Sequence, residues 1–153
     1  MDSWYFAYGS NMCVEQLIRR IGRIGIPDSS PRIAQLAGHR LAFQHGVSGG
    51  AAYANILAPG DGVIGVAYRF SASDLEKLDR FEEDYDHGTI EVTDRNGEVL
   101  RAVAYFMTPG PNLKYGLPSS KYLRTIVTGA RQHGLPEVYI ENIISRAGAV
   151  ESD

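Results

Sequence analysis

Between residues 40 and 107 the chain carries five stretches patterned as strands and one patterned as a helix, and this crowding limits the fold more than any other feature. The strand stretches are 40–44, 51–57, 63–70, 89–93 and 99–107, rich in β-branched and aromatic residues and bounded by Gly, Pro, Asn and Asp. A doubly wound fold alternates strand and helix along the chain, and this pattern does not. An α+β domain is predicted instead, with a small mixed, mostly antiparallel sheet curled into a barrel and helices at its flanks. A single domain spanning 1–153 is expected, because no repeat, low-complexity tract or long linker divides it. Pro59-Gly60-Asp61-Gly62 predicts a hairpin joining 51–57 to 63–70. Asn96-Gly97 predicts a two-residue hairpin joining 89–93 to 99–107.

Outside this block the punctuation is clear. Tyr5-Phe6-Ala7-Tyr8 reads as a short buried strand that stops at the turn-formers Gly9-Ser10-Asn11. Val14, Leu17, Ile18 and Ile21 then form one apolar helical stripe, with Ser10 or Asn11 as its cap and Gly22 as its stop. A strand end running into a helix start presents unpaired backbone N–H groups and suits an anion. Ser71 or Ser73 is expected to cap a short helix carrying Leu75, Leu78 and Phe81 on one side. Residues 108–117 hold two prolines and two glycines and read as a loop. Pro118-Ser119-Ser120 opens a helix with Tyr122, Ile126, Val127 and Ala130 inward. Gly134 stops it, and Pro136 opens a last helix to about residue 148.

Several function classes are disfavoured. The formal charge of −3 offers neither a nucleic-acid footprint nor a polybasic membrane patch. The start Met1-Asp2-Ser3-Trp4 lacks a signal-peptide pattern, no apolar run approaches a membrane span, and Cys13 has no partner for a disulfide, so a soluble cytoplasmic protein is expected. Gly46-Val47-Ser48-Gly49-Gly50 matches G-x-S-x-G, but a strand pattern follows Ser48 where a nucleophile elbow needs a helix. His39, His45, His87 and His133 show no ligand spacing, and Gly22-Arg23-Ile24-Gly25 lacks the Lys-Ser or Lys-Thr of a phosphate loop. Cys13 reads as a buried thiol rather than a reactive one.

Tyr8-Gly9-Ser10-Asn11-Met12 closely resembles the Y-G-S-N-L signature of the γ-glutamyl cyclotransferase-like family. Further resemblances follow in order. Gly49-Gly50-Ala51 through Pro59-Gly60-Asp61, with Val63-Ile64-Gly65-Val66, is similar to the family's strand pair and G-x-V strand. Leu78-Asp79-Arg80-Phe81-Glu82 resembles its L-D-x-x-E helix end. Pro118-Ser119-Ser120-Lys121-Tyr122 resembles its P-S-x-x-Y helix start, and Gly134-Leu135-Pro136 the G-L-P before its last helix. The family often has Gly after the glutamate, where this chain has Glu83.

The resemblance implies cyclisation of a γ-glutamyl amide to 5-oxoproline with release of the attached amine or amino acid. It implies Glu82 as the catalytic carboxylate, with Glu83 the alternative one residue on in the acidic cluster Glu82-Glu83-Asp84, a small-molecule γ-glutamyl substrate and a monomer or homodimer. Tyr8, Gly9, Ser10, Asn11, Met12, Tyr85 and Tyr122 are the expected substrate-binding residues. No cofactor or metal is expected, because the substrate's α-amine attacks its own γ-carbonyl, and well-oriented intramolecular attack supplies about 7–11 kcal/mol. The protein must move a proton from the α-ammonium to the departing nitrogen. A free glutamate, with a pKa of about 4.3, is a poor base for an amine of about 8, so burial near Leu78 and Phe81 and like charge from Glu83 are expected to raise it. Taken alone, Glu82 at a helix end reads as a solvated charge and loop 9–11 as a simple cap. An alternative of another class is a non-catalytic metabolite-binding or interaction module on the same scaffold.

Overall fold

The computed structural model describes residues 2–45, 51–83, 85–108, 110 and 113–148. Ser48 and Asp84 lie outside them. Five strands close a barrel in the order β1 (Ser3–Ala7), β5 (Val63–Phe70), β2 (Arg32–Leu36), β6 (Asp86–Asp94) and β7 (Val99–Phe106). All pairings are antiparallel except the closing one, where β1 runs parallel to β7. A three-stranded sheet lies beside it, with β3 (Arg40–His45) between β4 (Tyr53–Leu57) and β8 (Lys114–Tyr115). The mixed, mostly antiparallel barrel is thus the predicted one.

The core fills because β5 is apolar on both faces. Val63, Val66, Ala67, Tyr68 and Phe70 are all buried, together with Phe6 of β1 and Val92, Leu100 and Ala102 of the β6–β7 hairpin. Four helices flank the sheets: α1 (Val14–Ile21), α2 (Ala72–Asp79), α3 (Ser120–His133) and α4 (Glu137–Gly148). Local chemistry sets their ends. Gly22 and Gly134 terminate α1 and α3 in the left-handed conformation at φ of 87° and 78°, where glycine has no steric penalty. Ser119 accepts the Tyr122 N–H at 3.1 Å and caps α3.

Several expectations are corrected. The 51–57 and 63–70 stretches do not pair. β4 bonds to β3, and β5 to β1 and β2. The 59–62 segment bridges two sheets rather than reversing the chain: Gly62 N–H donates to His39 O at 2.7 Å, so it rests on the corner preceding β3. The β6–β7 hairpin forms, but around three residues. Asp94 N–H donates to Glu98 O, Gly97 N–H donates to Asp94 O, and Gly97 is left-handed at φ 85°. The Asp94 carboxylate accepts the Asn96 and Glu98 N–H groups, each at 2.9 Å, which favours this wider turn over the two-residue one. Strand β2 had no clear pattern in sequence, and β8 lies in the stretch read as a loop. Neither Ser10 nor Asn11 caps α1. They form a separate 3-10 turn, Ser10–Met12, and Cys13 occupies the cap position. Phe81 lies beyond α2 and is exposed.

The start of α2 carries a stability prediction. The Ser71 hydroxyl and the Asp74 carboxylate bond each other's backbone N–H groups, and Arg23 donates twice to Asp74. Burial pushes the Asp74 carboxyl upward, but the Arg23 and Ser71 hydrogen bonds prevail and hold it below the usual carboxylate range. Its folded pKa is depressed, so its contribution is present above the ordinary range and is lost as pH falls through the depressed value. Asp74→Ala is expected to lower stability by about 1–2 kcal/mol, read as a lower urea midpoint at pH 7, with the gap to the parent closing in acid.

Candidate active site

Three pieces of chain meet beside the open end of β1. The first is loop 9–12. Gly9 sits against β4 and α3, where an added Cβ would lie 3.3 Å from the Ala54 Cβ and 3.5 Å from the Tyr122 hydroxyl. The Met12 N–H is already engaged with Gly9 O at 3.1 Å, so this expected substrate donor closes the turn instead. The N–H groups of Gly9, Ser10 and Asn11 make no turn or loop hydrogen bond among the described residues. Tyr68 holds the loop from beneath. Its hydroxyl is 3.2 Å from Asn11 O and 3.3 Å from Met12 O, and His133 Nε2 lies 2.8 Å from the same hydroxyl.

The second piece follows α2. Buried Leu78 anchors the helix end, and successive turns, from Phe81 N–H to Leu78 O and from Glu82 N–H to Asp79 O, swing Glu82 back toward the loop. Glu82 keeps only 11% of its side-chain exposure. Its Oε1 accepts from Asn11 Nδ2 at 3.0 Å. Glu83, by contrast, is exposed.

The third piece is the polar face of α1. Gln16 Nε2 and Arg20 both donate to Asn11 Oδ1, each at 3.1 Å. With its oxygen so occupied, the Asn11 amide must turn Nδ2 toward its two other partners, Glu82 Oε1 and the Tyr5 hydroxyl at 3.0 Å. Gln16 also donates to Ser10 Oγ at 2.7 Å, tying helix to loop.

Burial pushes the Glu82 carboxyl upward. Arg20 and the Asn11 hydrogen bond pull it down without cancelling that, and Asp79 adds a smaller upward push. The like charge thus comes from Asp79 rather than Glu83. Tyr105 donates its hydroxyl to Asp79, which keeps that carboxylate engaged at the edge of the site.

The three expected tyrosines differ in what their hydroxyls have left to give. Tyr8 donates to Tyr105 O at 2.6 Å, and Tyr85 to Ala54 O at 3.3 Å, so both protons are engaged in the wall. Tyr122 accepts the Ala54 N–H at 3.1 Å and donates to no described residue. Burial pushes it up to about 12, so it stays protonated at neutral pH. The structure therefore brings Gly9, Asn11, Glu82 and Tyr122 to one place. Sequence reading missed Tyr5, Gln16, Arg20, Tyr68 and Asp79. Gln16 and Arg20 had one available signal, a spacing of four off the apolar stripe of α1. Among the described residues no group of His, Cys, Asp and Glu is arranged to hold a metal ion.

Residues 62–143 match the AIG2-like family. A mouse γ-glutamylcyclotransferase is 33% identical over 153 aligned residues, covering 91% of this chain and 76% of that protein. The human protein of the same name is 30% identical with the same coverage. A solved γ-glutamyl cyclotransferase structure superposes with a TM-score of 0.81 at 28% identity, covering all of this chain and 90% of the other. The chain therefore belongs to the AIG2-like, γ-glutamyl cyclotransferase-like family.

Proposed function

We propose that the protein cyclises a γ-glutamyl amino acid or γ-glutamylamine to 5-oxoproline, with Glu82 as general base and then general acid. The observation that carries this reading is that Glu82 is withdrawn from water and hydrogen-bonded to Asn11 of the turn following β1. The names of the mouse and human relatives support the reaction class.

The substrate supplies its own nucleophile. Glu82 accepts a proton from the α-ammonium, and the freed amine attacks the γ-carbonyl carbon, forming the ring C–N bond. Collapse of the tetrahedral carbon breaks the bond to the leaving nitrogen, which takes the proton back from Glu82, and the second proton of the new ring nitrogen passes through the same carboxylate to the released amine, which departs as its ammonium. A carboxylate raised by burial suits both directions better than an exposed one, because its pKa lies closer to those of the groups it exchanges with. The N–H groups of Gly9, Ser10 and Asn11, which make no turn or loop hydrogen bond among the described residues, can receive the α-carboxylate or the developing oxyanion. Tyr122 supplies a neutral O–H over Gly9 that can add a further hydrogen bond.

The test is a panel of γ-glutamyl amino acids and γ-glutamylamines scored for 5-oxoproline by mass spectrometry. At least one class is expected to be converted, with stoichiometric release of its amine. Saturable binding of these compounds without 5-oxoproline from any of them would sink the enzymatic reading in favour of a binding module.

A further inference from the structure

Burial pushes the Glu82 carboxyl toward its neutral form, and the Arg20 cation opposes that push. Arg20 extends from the last turn of α1, with Nη1 3.4 Å from Glu82 Oε1 and 3.1 Å from Asn11 Oδ1. Its guanidinium lies over the ring of Phe81, the residue before Glu82, at 5.1 Å from the ring centre. Three contacts thus fix it: the carboxylate, the amide that holds the carboxylate, and the ring beside it. We propose that Arg20 is a positioning residue for Glu82, holding it as the carboxylate base in the substrate-free site.

The groups facing Glu82 make Arg20 decisive. From α2 comes Asp79, a like charge. From β1 come Tyr5 and, just past its end, Tyr8; Tyr85 precedes β6. Tyr105 of β7 and Tyr122 of α3 complete the surround. The tyrosines are all neutral at working pH because burial raises them. Asn11 donates one neutral hydrogen bond. Against desolvation and Asp79, the positive charge that acts on Glu82 among the described residues is that of Arg20. Its effect lies in the ionisation of its partner.

This inference rests on the cyclisation reading, and its test separates the two. Arg20→Met should move the acid limb of the kcat/KM profile upward by about one pH unit, with kcat/KM approaching the parent value well above the limb and KM there little changed. Arg20→Lys, which keeps the charge, should return most of the shift. The Glu82 carboxyl is also titrated by NMR in ¹³C-Glu-labelled protein, with Glu82→Gln assigning the resonance. Its midpoint should rise in Arg20→Met, whether or not any substrate is turned over. An unmoved midpoint overturns the proposal. So does a loss equal at every pH with raised KM, which would make Arg20 a ligand of the substrate. If the methionine variant does not fold, the lysine variant and Arg20→Gln carry the same titration.

Discussion

Glu82→Gln is expected to lower kcat by about 10²–10⁴, the usual share of general acid–base catalysis, while leaving the fold intact. The substitution keeps the side chain's shape and its oxygen. Asn11 Nδ2 can still donate to it at the distance of 3.0 Å seen for the carboxylate. What disappears is the site that takes a proton from the α-ammonium and returns one to the leaving nitrogen. Proximity and the loop N–H groups remain, so a residual rate over the uncatalysed reaction should persist. Binding of a γ-glutamyl compound, measured by calorimetry on the inactive variant, should stay within a few-fold of the parent. Glu83→Gln is the control. Its side chain points into solvent, and its turnover should match the parent's. A Glu82→Gln enzyme retaining a tenth or more of parental kcat would remove Glu82 from the mechanism. The parent's own pH profile follows from the same group. The base works only as the carboxylate, and burial raises its pKa, so activity should fall in acid at a pH above the ordinary glutamate range.

The features legible in sequence were those decided within a few residues. Gly22, Ser71, Ser119 and Gly134 mark helix ends through cap chemistry that needs no tertiary partner. The β6–β7 hairpin was visible for the same reason, although Asp94 altered its turn by reaching two N–H groups ahead. The partner of β4 was not visible, because adjacency in sequence favours β5 while the pairing that forms is with β3. Arg32-Ile33-Ala34-Gln35-Leu36 shows no clean alternation, and it is a strand because both of its edges are paired, to β5 and β6. The site divides in the same way. Loop 9–12 and Glu82 carry motifs. Arg20 and Tyr5 join the site because α1 packs against α2 and β1 closes onto β7. The spacing of Gln16 and Arg20 puts them on one face of α1 without saying what that face meets, and Asp79 acts on Glu82 because the chain turns back just after α2.

Gly129→Val is expected to damage both stability and activity, and the first effect explains the second. Gly129 lies inside α3, where a glycine ordinarily weakens the helix and Gly→Ala gains about 0.5–1 kcal/mol. Here the sign should reverse. A Cβ at this position would lie 2.3 Å from both Cys13 N and Met12 C and 2.7 Å from Met12 O. Those atoms are main chain and have little freedom to yield. Met12 N–H is bonded to Gly9 O, Cys13 N–H to Ser10 O, and the Tyr68 hydroxyl holds the Met12 carbonyl from the other side. Either α3 retreats from the turn or the turn moves. Overpacking of this kind costs about 1–3 kcal/mol, with Gly129→Ala near the low end and valine near the high end. A shift of about 1 Å in loop 9–12 displaces the N–H groups and Asn11 together, and misplacement on that scale costs about 10² in rate. The two effects are read separately, by thermal melts and by kcat/KM at a temperature where circular dichroism shows the variant folded. A more stable alanine variant, or a folded valine variant with parental kcat/KM, would mean that the close approach of α3 does not set the position of the loop.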